Sequence, residues 1–67
     1  MIRQTDYEWD LILEAAEKLG VGRYARMKWR NRNMVPHRWR VDIIRLTNGV
    51  VSWNHFRDMD AQARDAA

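Results

Sequence analysis

The stretch from Leu19 to Trp39 leaves the chain few choices. Leu19-Gly20-Val21 reads as a helix end, because glycine takes the left-handed C-cap conformation without a Cβ penalty. The run Arg23 to Asn31 is compatible with a helix, and Val35-Pro36 closes the segment. The residue before a proline avoids the helical region, while proline itself suits the first turn of a new helix. A helix stop, a glycine turn, a short basic helix and a proline restart are therefore forced to follow one another.

Periodicity fills in the rest. Thr5 and Glu8 have the spacing of a capping box, and a first helix is expected over about Asp6 to Leu19. Its inward stripe is Trp9, Ile12, Leu13, Ala16 and Leu19, at three- and four-residue steps, with Tyr7 and Leu11 to one side. The second helix, about Gly22 to Asn31, turns Val21, Ala25 and Trp29 inward, and Arg32, Asn33 and Met34 follow as a polar loop. A third helix begins at Pro36 and stops at Thr47-Asn48-Gly49, with Trp39, Ile43 and Leu46 as its stripe and Val41 and Ile44 beside it. Ser52 suits the N-cap of a fourth helix with Trp53, Phe56 and Met59 on its apolar side. The expectation is an all-α domain of about four helices over residues 1–57, followed by a frayed or partly helical tail, 58–67. Met1 to Gln4 lacks periodicity and is expected to fray, leaving Arg3 able to touch a phosphate.

At 67 residues the chain is one domain. A fold of this size buries only about 60% of its unfolded surface. Without cysteine there is no disulfide or thiolate-bound metal to brace it, so oligomerisation is the common remaining support. The apolar runs are only a few residues long, so neither a membrane span nor a signal peptide is expected, which fits the cytoplasm.

Charge is segregated along the chain. Residues 1–21 carry Arg3 and Lys18 against Asp6, Glu8, Asp10, Glu14 and Glu17, a net −3. Residues 22–45 carry eight cations (Arg23, Arg26, Lys28, Arg30, Arg32, Arg38, Arg40 and Arg45) against Asp42 alone, a net +7. Residues 46–67 return to −1. A basic block between acidic ones marks an anionic partner, and arginine suits planar contacts with phosphate or guanine. The blander reading is a solvated basic face.

Helix, short glycine turn and basic helix is also the layout of a DNA-binding helix-turn-helix. In these residues the sequence resembles the phage Cro/repressor type of regulator, in particular the small YdaS-like and Cro-like members. Ala16 stands where that family wants a small residue, four before the turn glycine Gly20, and Val21 and Trp29 match its buried positions. Val35-Pro36, the end at Leu46-Thr47-Asn48-Gly49, and the step Gly49-Val50-Val51-Ser52 into the last helix also match. The resemblance covers roughly Ile12 to Phe56. It implies a lambda-repressor/Cro-like fold and a sequence-specific transcriptional regulator of phage or mobile-element origin. Such a regulator binds a pseudo-palindromic operator in double-stranded DNA as a homodimer, and is nucleoid-associated when bound.

Three positions depart from the family. Arg26 replaces a valine or isoleucine, so either its stem snorkels along the core with its head toward Glu14 or Glu17, or the register differs by a residue. Gly22 replaces a serine or threonine cap. The usual preceding helix has no room, which would leave part of the Trp9/Leu11 surface exposed unless another chain covers it.

A recognition helix reads base edges from its N-terminal half. The candidates for base contacts are Arg23, Tyr24, Met27 and Lys28, with Asn31 at the far end. Arg30, Arg32, Arg38 and Arg40 flank the turn and the next helix start and suit phosphates. Tyr24 and Met27 could instead pack in the core, and Trp29 and Trp39 are read as core rather than stacking platforms. Trp53, Phe56, Val41 and Ile44 are the candidates for a dimer interface. His37 and His55 are too poorly accompanied for a metal or catalytic set, and surface or capping roles are expected of them. No carboxylate pair stands beside a nucleophile or phosphate loop, so no enzyme, cofactor or small-molecule ligand is expected. Two rivals remain: a protein-binding module or inhibitor pressing the basic helix on an acidic surface, and a non-specific architectural or RNA-binding protein. Polyanion competition separates the first from DNA binding, and a specificity ratio at stated salt separates the second.

Overall fold

The computed structural model describes residues 6–66. Four α-helices follow in order: α1 Asp6–Lys18, α2 Arg23–Arg32, α3 His37–Leu46 and α4 Trp53–Ala66. No strand occurs among the described residues, and none of their helices is long and apolar enough to cross a membrane. The expected roles of Arg3 and of Thr5 as a cap lie outside the described residues.

The three turns share one device. After α1, Gly20 (φ 87°) donates to the Glu17 carbonyl and Val21 to that of Ala16. After α2, Asn33 (φ 53°) donates to Arg30 and Met34 to Trp29; after α3, Asn48 (φ 53°) donates to Arg45 and Gly49 to Ile44. This is the paired bonding of the Schellman motif, which satisfies the last carbonyls of a helix and reverses the chain within two residues. Glycine and asparagine hold these sites because they tolerate the left-handed backbone.

α1 packs on α2 and α3, and α3 on α4. Trp9, Ile12, Ala15 and Ala16 from α1 meet Val21, Trp29, Val35, Ile43, Val51, Phe56 and Met59 in one core. Leu13, Leu19, Ala25 and Trp39 are half-buried against it, whereas Leu46, expected inside, is exposed. Trp9 needs no second chain to cover it: it is buried and its indole N–H donates to Asn33 Oδ1 at 3.2 Å.

The start of α4 is held from two sides. The Ser52 amide donates to His55 Nδ1 at 3.0 Å, so histidine takes the place that glutamate has in a capping box. That leaves Nε2 to carry the proton and donate to Glu8 Oε1 on α1 at 2.8 Å. Of the surface and capping roles expected for His55, it has the capping one.

The tail, expected to be frayed or partly helical, is helical through Ala66, and three of its residues find partners elsewhere. Met59 is fully buried, Asp60 pairs with Arg40, and Gln62 Oε1 accepts from Asn33 Nδ2 at 2.6 Å. The Arg40 hydrogen bonds, foremost, and the positive charges of Arg40, His37 and Arg64 hold the Asp60 carboxyl below its ordinary value, against the opposing effect of burial. A depressed carboxylate contributes stability in full above its unfolded pKa of about 3.9 and loses it as pH falls through the lower folded value. Urea titrations from pH 6 downward should thus show the stability gap between the native protein and Asp60→Asn narrowing below about pH 4. A gap constant down to pH 2 would refute the linkage.

Candidate nucleic-acid interface

The orientation of α2 is fixed by what it buries. Val21 before it and Trp29 within it are in the core, and Arg26 is pinned alongside, its Nη1 2.7 Å from Glu17 Oε2. Arg26 thus takes the snorkelling placement, with its head on Glu17. At about 100° per residue, Tyr24, Met27 and Asn31 then lie at the centre of the opposite face. Arg23 and Arg30 lie along one edge of that face and Lys28 and Arg32 along the other. All seven are exposed, Tyr24 by 73% and Met27 by 53%, so neither Tyr24 nor Met27 packs in the core.

The second edge continues onto α3. The Lys28 and Arg32 side chains flank a recess floored by Trp29, Met34 and Pro36, and Pro36 caps α3. Arg38 follows on the first turn of α3, exposed, with its guanidinium 5.0 Å from the Trp39 ring centroid. Trp39 in turn leans on Trp29, their rings 6.3 Å apart and tilted by 45°. Lys28 Nζ sits 5.0 Å from the Tyr24 ring centroid. These cation–π contacts hold the cations near the surface without neutralising them, so the charge stays available to an anion.

Arg40, expected at a phosphate, is instead internal, with 2% of its side chain exposed. Its Nε donates to the Val35 carbonyl at 2.8 Å, and Nη1 and Nη2 donate to Asp60 Oδ2 and Oδ1 at 3.1 and 2.9 Å. Phe56 lies 5.1 Å beneath the guanidinium. The basic block therefore presents fewer charges than it contains, since Arg26 and Arg40 are each neutralised by an acidic partner.

The candidate interface residues also divide. Phe56 is fully buried and belongs to this chain's own core, and Ile44 is half-buried against it. Trp53 is 51% exposed, with Val50 and Leu46 exposed nearby on the α3–α4 corner. Val41 is exposed, but lies about 140° around α3 from Leu46, so it cannot share one flat patch with that corner.

Two contributors were missed from the sequence. Asn33 joins Trp9 to Gln62 through its side-chain amide, and so fixes the end of α2 against α4. Its signal was an asparagine between a helical run and a proline, where a left-handed cap was needed. Arg45 is exposed on α3, one of the cations counted in the basic block but assigned no contact. Among the described residues there is no group of three or more histidines and carboxylates placed to hold a metal.

No family model, curated protein or solved structure matches the chain.

Proposed function

We propose that this protein is a sequence-specific DNA-binding regulator of the Cro-like kind, acting as a homodimer on a pseudo-palindromic site. The observation that carries the reading is the outward face of α2. A short helix, held by a Schellman turn and by Trp29, points three side chains capable of base contact outward between two edges of cations. A helix of about 10–12 Å diameter matches the major groove in width, and flanking arginines reach phosphates on its walls. A module this small contacts few base pairs, and two copies about one helical turn apart double the contacts. Trp53 with Leu46 and Val50 is the apolar surface a second copy would cover.

The test is binding of the full chain to duplexes selected from a random pool, against unselected duplex at one stated salt. A specificity ratio of about a thousandfold or more supports a regulator; a ratio near one leaves at most a non-specific binder. The charged edge has its own signature. Arg32→Ala and Arg38→Ala should each weaken binding to any duplex and reduce the slope of log affinity against log salt by about 0.9 for each phosphate no longer neutralised. Unchanged slopes in both variants would remove these two residues from the interface.

A further inference from the structure

We infer that the bases are read by the uncharged centre of α2, Tyr24, Met27 and Asn31, and that the half-site beneath it is composed of A·T pairs. The inference rests on the DNA-binding reading above and adds the chemistry of the site recognised. Two observations carry it. The centre of the face holds no cation: its three residues are a phenol, a thioether and an amide, all exposed. The cations stand at the margins, Arg23 and Arg30 on one side and Lys28 and Arg32 on the other.

In the major groove guanine offers two acceptors and is matched by arginine or lysine. Adenine offers an acceptor beside a donor, which an amide matches with two bonds, and thymine offers a methyl group that takes apolar contact. Asn31 supplies the amide, and Tyr24 and Met27 the apolar surface. The spread from Tyr24 to Asn31 is about 10 Å along the helix, close to three base-pair steps. Cations at both margins then fall near the groove walls, where the phosphates are. This division reverses the expectation that Arg23 and Lys28 read sequence: both become phosphate contacts.

Selection from random duplex DNA with the full-length protein, followed by binding of variants to the selected site, tests this directly. The enriched half-site should contain adjacent A·T pairs. Asn31→Ala should bind it roughly tenfold more weakly and lose preference at one A·T position. Replacing the matching thymine by deoxyuracil should cost about fourfold, the burial of one methyl group, and should cost nothing further in Met27→Ala or in Tyr24→Ala. Arg23→Ala and Lys28→Ala should weaken selected and random duplex alike. All five side chains are exposed, and circular dichroism checks that each variant remains folded. An enriched G·C-rich half-site whose preference relaxes in Arg23→Ala or Lys28→Ala overturns the inference and leaves the DNA-binding regulator standing. A pool with no enriched sequence overturns both.

Discussion

Arg40→Ala is expected to destabilise the protein by about 3 kcal/mol. Opening a fully buried ion pair by removing one partner costs roughly 3–5 kcal/mol. Here the carboxylate left behind, Asp60, is 38% exposed and rehydrates, which lowers the cost. Two further losses raise it again. The Val35 carbonyl loses its 2.8 Å donor, a desolvation penalty of about 1–3 kcal/mol, and the guanidinium leaves a void above Phe56. A domain of this length has only about 3–10 kcal/mol of total stability. Urea denaturation at pH 7 should therefore show Arg40→Ala unfolding at a markedly lower midpoint than the native protein. Arg40→Lys should fall between, because an ammonium cannot reach Val35 and both Asp60 oxygens with a planar fork. A variant as stable as the native protein would place Arg40 at the surface and return it to the phosphate-contacting cations.

The same residue marks where sequence reasoning reaches and where it stops. The stripe Trp9, Ile12, Ala16 and the pair Val21 and Trp29 were legible, because burial on one face of a helix imposes its period on the residue types. The turns were legible where glycine or Asn48-Gly49 announced a left-handed backbone. Arg40 was not, because a local charge run looks the same whether or not each cation has a partner, and its partner lies twenty residues away. Arginine is almost never fully buried unless paired, so only the placement of Asp60 could reveal it. The anchors of the last turns of α4 escaped for a similar reason. Those turns carry one buried apolar residue, Met59, and are held by Asp60 and Gln62 reaching the α2–α3 loop and α3, contacts that no periodicity encodes. On the proposed interface, exposure of Asn31 and the flanking cations followed from taking Trp29 as the inward residue, whereas Tyr24 and Met27 stayed open to core packing. The division of that face into an uncharged centre and charged margins needed Arg26 to be fixed first, and its pairing with Glu17 did that.

Phe56 and Trp53 should separate core from interface. They stand three residues apart on α4, about 60° around the helix, so their spacing alone puts both on one side. Their surroundings differ: Phe56 is fully buried, and Trp53 meets it edge-on, with ring centroids 6.2 Å apart, while half its own surface stays exposed. Phe56→Ala should cost about 3–5 kcal/mol, a large share of the domain's stability, and lower the urea midpoint steeply. Trp53→Ala forfeits an aromatic pairing of about 0.5–1.5 kcal/mol and part of an exposed ring, and should keep its helical circular dichroism. If Trp53 lies at the centre of a self-complementary surface, its loss acts on both copies at once. Sedimentation at micromolar concentration should then show dimer for the native protein and monomer for Trp53→Ala, with tight specific DNA binding disappearing along with the dimer. A native chain that sediments as a monomer both alone and on its selected duplex would remove the homodimer. A Trp53→Ala variant as destabilised as Phe56→Ala would assign Trp53 to the monomer's own core instead.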